Sequence, residues 1–378
     1  MKIVIAIDSF KGSITSLEAG NAAAEGIHRC LPDAQIQVMP IADGGEGTVD
    51  ALISHLNGTY KTVSVKDPLM RDITATYGIA GKLAIMEMSA ASGIALLKRE
   101  ELNPLVATTY GVGQMIKDAT QNGCQEFLIG IGGSATNDGG VGMLQALGFA
   151  FLDENGNDIG FGAGALEKLH SICDKNVIPE LKDCKFNIAC DVKNPLCGEL
   201  GCSAIFSPQK GAKPEQIPQM DKAIAGYAKL TQALYPHADP EFPGAGAAGG
   251  LGFAFLAYLK GKLQSGIELI LEKIQIEQAI AQADLVITGE GRLDGQTVMG
   301  KVPVGIARLA KKYGKPVIGF SGCVTREATA CNNHGIDAFF PIVRTPCTLD
   351  EAMNPENAKA NMADCAEQAL RLYTLAKK

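Results

Sequence analysis

The stretch Gly130-Ile131-Gly132-Gly133-Ser134-Ala135-Thr136-Asn137-Asp138-Gly139-Gly140 constrains this chain more than any other. An apolar run over 127–131 leads into it and a periodic run over 141–147 leads out, the pattern of a strand, a tight turn and a helix. Glycine lets the backbone turn sharply and bring its N–H groups close to a ligand, and a helix start adds partial positive charge. Such a turn suits an anion, most simply a phosphate. It serves equally as a plain connection in any α/β domain. The chain repeats the device, and the repetition points to function.

A strand over 2–7 ends in Asp8-Ser9-Phe10-Lys11 and leads to a helix over 16–29, for which Thr15 and Glu18 form a capping box. Asp8, Ser9 and Lys11 thus stand at the carboxyl end of a strand beside a helix start, where open α/β sheets bind ligands. A strand over 36–40 runs into a glycine-rich turn carrying Asp43 and Glu46, and a helix follows over 49–56. Two carboxylates there suit hydrated Mg²⁺ or a substrate hydroxyl better than they suit a phosphate. Residues 60–89 alternate like antiparallel strands and mark the start of a second domain. The pattern over 105–122 reads as a helix entering the glycine stretch.

A strand over 186–191 ends in Asp191 ahead of a turn stiffened by Pro195, a place for a fixed general base or for a carboxylate that caps its loop. The segment 208–212 reads as a polar turn with a single lysine, and 243–252 as an ordered, closely approached glycine turn entering an apolar helix over 253–259. A strand over 284–288 feeds a turn with Glu290, Arg292 and Asp294, and Lys301 follows on a glycine turn at a helix start. A helix over 303–312, strands over 316–321 and 338–343 and a closing helix over 357–375 complete the chain. Both ends therefore share one grammar. The predicted fold class is α/β: a Rossmann-like parallel sheet domain built from 1–58 plus 280–378, an inserted second α/β domain over 59–279, and an active site in the cleft between them.

Composition narrows the functions available. A net charge of -7 leaves no general attraction for nucleic acid or an anionic membrane, so an anionic substrate has to be caught locally. No apolar run approaches the roughly 18 residues of a membrane span, and the chain opens directly on a strand. Eleven cysteines without a Cys-x-x-Cys pair predict free thiols in a reducing cytoplasm. Cys184, Cys190, Cys197 and Cys202 cluster, but at spacings that fit no standard zinc module. The five histidines have no partner that the sequence identifies.

Two near-matches compete with phosphate chemistry. Gly130-x-Gly132-x-x-Ala135, with Asp153 downstream, satisfies the spacing of a dinucleotide fingerprint and makes an NAD-dependent dehydrogenase of a small hydroxy acid the main alternative. Residues 295–302 have P-loop spacing but place Val302 where the Mg²⁺-binding hydroxyl belongs. Ser134 misses the nucleophile-elbow pattern of hydrolases. A non-catalytic phosphosugar-binding module is the third class. Lys11, Asp43, Glu46, Ser134, Asp191, Glu290, Arg292, Asp294 and Lys301 on successive turns supply what phosphoryl transfer needs: cations and N–H groups around the transferred group, carboxylates for Mg²⁺ and an acceptor for a hydroxyl proton.

At these residues the chain resembles the bacterial type I glycerate kinases, essentially from end to end. The motifs that carry the resemblance are Asp8-Ser9-Phe10-Lys11, Ala42-Asp43-Gly44-Gly45-Glu46-Gly47-Thr48, the stretch 130–140, Ala189-Cys190-Asp191, Pro208-Gln209-Lys210-Gly211-Ala212, the stretch 244–252 and Ile287-Thr288-Gly289-Glu290-Gly291-Arg292. Ile7 stands where proline is common and Ser207 where glycine is common, and neither removes a charged group. The resemblance implies use of ATP and Mg²⁺ to phosphorylate D-glycerate, usually to 2-phosphoglycerate, in glyoxylate and sugar-acid breakdown. It also implies a Rossmann-like domain with an inserted α/β domain.

Individual roles are expectations drawn from the residues. Asp191 orients or deprotonates the glycerate hydroxyl, and Lys11 joins it as a catalytic group. Asp8, Ser9, Gly132, Gly133, Ser134, Thr136, Asn137, Arg292 and Lys301 bind substrate or phosphate. Asp43, Glu46, Glu290 and Asp294 are the candidates for Mg²⁺, no more than two of them directly. The stretch 130–140 is expected to hold the ATP phosphates. Monomer and homodimer both stay open.

Overall fold

The computed structural model describes residues 1–375. The chain divides into two compact units, Met1–Asn57 together with Ile267 onward, and Gly58–Gly266. The return to the first unit thus falls at Ile267 rather than near 280. The helices Gly266–Ile274 and Ile276–Gln282 cause the difference, because Ile276 and Ile280 are buried against elements of the terminal unit. Of the domain expected to end at 378, residues 376–378 lie outside the described residues.

The terminal unit has a five-stranded sheet in the order Ala338–Pro341, Val317–Val324, Leu285–Leu293, Lys2–Ile7, Gln35–Val38, with every neighbouring pair parallel. Numbered within the unit this is 2-1-3-4-5, the flavodoxin-like order of doubly wound folds. Lys2–Ile7 is a continuous apolar run because helices cover both faces. Ile3, Ile5 and Ile7 share one core with Ala23 and Ile27 of the helix Ser16–Cys30 and with Met362 and Leu370 of the helix Pro355–Leu375. The helix Val302–Lys312 packs on the sheet as well. The direction of winding reverses between Lys2–Ile7 and Leu285–Leu293, so their carboxyl ends open a crevice.

The expected turn at 289–292 is not a turn. Leu285–Leu293 continues as strand through Gly289-Glu290-Gly291-Arg292, pairing Glu290 with Ser321 and Arg292 with Cys323. The glycines serve the neighbouring strand: a Cβ on Gly289 would lie 2.1 Å from the Phe320 carbonyl oxygen.

In the middle unit a six-stranded sheet runs Lys262–Gln264, Lys185–Ala189, Glu126–Gly130, Leu83–Glu87, Asp72–Ala80, Thr59–Lys66. The first four are mutually parallel and the last two add antiparallel, so Leu83–Glu87 has one neighbour of each kind. The helix expected over 105–122 spans Tyr110–Gln121 only. Its start is delayed because Thr108 and Thr109 are drawn into a buried network around Asp138.

Candidate active site

The crevice at the winding reversal is a cavity of about 900 Å³ built wholly from the terminal unit. Asp8, the first residue after its strand, is 4% exposed; its N–H is held by the Gly289 carbonyl and its Oδ1 accepts from the Ser9 N–H at 2.7 Å. Burial pushes its carboxyl up to about 8, with Asp43 and Glu290 adding to the rise against the pull of the Ser9 N–H and Lys11. Lys11 stands on a tight loop closed by paired backbone hydrogen bonds between Phe10 and Ile14. Asp43 Oδ1 accepts from the Gly45 N–H at 3.0 Å. Glu290 Oε1 accepts from the Thr297 hydroxyl at 2.7 Å and Oε2 lies 3.6 Å from Lys301 Nζ. Burial raises the Glu290 pKa, countered by Thr297 and Lys301 and reinforced by Asp43 and Asp294.

Asp8, Ser9, Lys11, Asp43, Glu290, Arg292 and Lys301 all line this cavity, brought together from four separate sequence segments. Two of the expected metal ligands are not on its wall. Glu46 is exposed, and Asp294 is spent on Arg292 Nε at 3.2 Å and on the Gln296 N–H at 2.9 Å. Among the described residues no three His, Cys, Asp or Glu side chains form a metal-holding group. Asp43 and Glu290 are what remains of the expected set.

The middle unit holds the other expected residues, and the glycine stretch differs from expectation. The helix after it is Val141–Ala146, and its free N–H groups are taken by the protein's own carboxylate. Asp138 accepts from the N–H of Gly140 at 3.1 Å and Gly142 at 3.2 Å, and from the N–H and hydroxyl of Thr109 at 2.8 and 2.9 Å. Its pKa is nevertheless raised, because full burial outweighs those bonds. The helix start is therefore filled from within by Asp138.

Thr136 and Asn137 are fully buried, correcting their expected contact with a ligand. Asn137 Nδ2 donates to Ser203 Oγ at 2.9 Å. The glycine-dense segment 244–252 explains their burial: a Cβ on Gly249 would lie 2.1 Å from the Thr136 carbonyl oxygen, and the Gly139 N–H donates to the Gly249 carbonyl. One glycine run thus packs backbone to backbone against the other. Gly132 and Gly133 remain exposed at the edge of the turn.

Beneath that edge lies a residue the sequence did not single out. Lys210, read as part of a polar turn, is 1% exposed and donates from Nζ to Ser134 Oγ at 2.7 Å and to the Thr136 carbonyl at 2.6 Å. Burial pushes its ammonium down to about 8. The sequence signals were its place in a Pro- and Gly-flanked turn and that turn's share in the family resemblance, and neither marked it as buried. Asp191, expected as the base, sits exposed after the strand Lys185–Ala189, where Oδ1 accepts from the Gly266 N–H at 3.1 Å.

The chain matches the model of the glycerate kinase family over residues 3–374. The chain belongs to the glycerate kinase family. It is 48% identical over 355 residues to the glycerate 2-kinase of Escherichia coli K12, covering 93% of each chain. To the glycerate kinase of Bacillus subtilis 168 it is 44% identical over 379 residues, covering 100% of this chain and 99% of that one. A crystal structure from Salmonella typhimurium LT2, described as a candidate glycerate kinase 2, superposes with a TM-score of 0.90 at 44% identity, covering 100% of this chain and 99% of that chain.

Membership of the glycerate kinase family makes the chain a kinase and removes the dehydrogenase alternative. The geometry agrees. The helix that a dinucleotide fingerprint requires does not begin until Val141, and Asp153 Oδ1 is spent on the N–H groups of Asn155 and Asn157. No helix among the described residues is long and apolar enough to cross a membrane.

Proposed function

We propose that the chain transfers the γ-phosphoryl group of ATP to the 2-hydroxyl of D-glycerate, giving ADP and 2-phosphoglycerate, as a step in the cytoplasmic breakdown of small sugar acids. The observation that carries this reading is the crevice at the winding reversal, where Lys11, Arg292 and Lys301 face the carboxyl groups of Asp8, Asp43 and Glu290. Cations and carboxylates set together in one cavity suit phosphate and its counter-ion, whereas a site for a bare organic acid needs cations alone.

The donor set fits Mg²⁺. Burial raises the Asp8 pKa, Asp43 and Glu290 add to the rise, and a divalent ion shared with phosphate would relieve the crowding of these carboxyl groups. Asp43 and Glu290 would hold the ion, whose contribution when bound is to neutralise charge on the phosphate oxygens. Lys11, Arg292 and Lys301 bind the same oxygens, and the unpartnered Ser9 hydroxyl is a further donor.

Asp191 takes the proton of the glycerate 2-hydroxyl as that oxygen bonds to the γ-phosphorus and the bond to the ADP oxygen breaks. Its carboxylate accepts from the Gly266 N–H, which helps to orient it. Gly132, Gly133 and Ser134 form the edge against which glycerate rests, with Lys210 fixing that edge from below.

Phosphorus NMR of the chain incubated with D-glycerate, ATP and Mg²⁺ tests the proposal. The expected product is ADP with a phosphomonoester split into a doublet by the single proton on carbon 2. A triplet would place the phosphate on carbon 3 and overturn the 2-phosphoglycerate assignment. An unchanged ATP spectrum would overturn the reaction.

A further inference from the structure

The cavity of the terminal unit is larger and less polar than its charged residues account for. Its volume of about 900 Å³ falls in the roughly 300–1,000 Å³ range of sites for cofactor-sized ligands, far more than a three-carbon acid fills. The lining changes across the sheet. Over the ends of Lys2–Ile7 and Leu285–Leu293 it is Asp8, Lys11, Glu290 and Arg292. Over the ends of Val317–Val324 and Ala338–Pro341, the two strands on one side, it is Val324, Ile342 and Pro346, joined by Leu349 and Met353 of the short helix that follows. Met353 reaches across toward the Lys11 loop, its Cε lying 2.8 Å from where a Cβ on Gly12 would stand.

A ligand that uses both halves needs an apolar planar group at one end and a polyanion with its metal at the other. We infer that this cavity is the nucleoside triphosphate site. The base lies against Val324, Ile342, Leu349 and Met353, and the phosphates run over the winding reversal toward Lys11 and Arg292. The inference rests on the phosphoryl-transfer reading and goes beyond it. It moves the nucleotide away from the glycine stretch 130–140, whose helix start Asp138 already fills, and leaves glycerate to the middle unit.

The chain contains no tryptophan, so Leu349→Trp introduces a single reporter at a cavity residue that is 72% exposed. Its emission should change saturably with Mg²⁺ and a non-hydrolysable ATP analogue, and stay flat with D-glycerate alone. A response to glycerate and not to the analogue overturns the inference, as does no response to the analogue in a variant that still turns over. Turnover is read separately by phosphorus NMR. Absent transfer with an intact nucleotide response therefore overturns the reaction and leaves the nucleotide site standing.

Should the variant not fold, the native chain carries its own probes. Cys323 and Cys347 are its exposed cysteines among the described residues, and both line the cavity. The analogue at about ten times its Kd should slow alkylation of both by about tenfold, since only the free fraction reacts. Glycerate should not slow either. Unchanged alkylation rates under saturating analogue overturn the inference.

Discussion

Asp8 holds a proton through the pH range in which an ordinary carboxylate has lost it. Its folded-state pKa of about 8 lies above the usual 3.8, so between those values the folded chain keeps a proton that the unfolded chain has released. Stability therefore falls as pH rises through that window, and the whole burden is felt above about pH 8. Asp8→Asn removes the titration while keeping the shape. It should be more stable than the parent in chemical denaturation at pH 8, by an amount on the order of a few kcal/mol, and by much less at pH 5. A gap that does not widen between those pH values would sink the account. Asp191 gives the complementary case, a residue proposed to act in the reaction rather than in stability. Asp191→Asn should lower kcat by about 10²–10⁴ with little change in KM for glycerate, and near-parental turnover in steady-state assays would remove it as the proton acceptor.

The position of both beyond a strand end was legible, because an acid after an apolar run leaves a mark in one dimension. Lys210 left none. A lysine in a Pro-Gln-Lys-Gly turn reads as solvated, and only the folding of 130–140 over it makes it a buried cross-link to Ser134 and Thr136. Thr136 and Asn137 failed the opposite way: polar residues on a glycine turn look like ligand contacts until the second glycine run at 244–252 is packed on them.

At the scale of elements, local signals were readable and non-local ones were not. The capping box at the start of Ser16–Cys30 involves neighbours only, and it is present: the Glu18 N–H donates to Thr15 Oγ1 at 3.2 Å and Glu18 Oε2 accepts from the Thr15 N–H at 2.9 Å. Thr15→Ala should cost about 1 kcal/mol in chemical denaturation, and no loss would show that packing against Pro355–Leu375 alone defines that end. The strand Leu285–Leu293 is the contrary example. Gly-Glu-Gly-Arg has the composition of a turn, and its extension is set by pairing with Val317–Val324. Gly289→Ala measures that pairing. A methyl 2.1 Å from the Phe320 carbonyl oxygen has to push one strand off the other, which should destabilise the terminal unit by about 3 kcal/mol or more. Wild-type stability would mean that the strands separate freely at that point.

At the scale of the molecule, the α/β class followed from the repeated strand-turn-helix grammar, but the place where the chain returns to its first unit did not. Amphipathic helices such as Gly266–Ile274 and Ile276–Gln282 state that they pack, not on which sheet. Each unit closes an apolar core of its own, one around Phe127, Tyr227 and Phe253 and the other around Ile5, Ile287 and Phe320. Cooperative unfolding should follow those cores, and buried thiols report on each: Cys331 in the terminal unit, Cys124 and Cys202 in the middle one. A nucleotide analogue at about 100 times its Kd adds about 2.7 kcal/mol to whichever unit binds it. With Mg²⁺ present it should move the urea midpoint for exposure of Cys331 upward by that free energy divided by the m-value and leave the midpoints of Cys124 and Cys202 where they were. Saturating glycerate should do the reverse. Equal shifts at all three cysteines with either ligand would mean that the two cores unfold as one, and a nucleotide shift confined to Cys124 and Cys202 would return the phosphates to the glycine stretch at 130–140.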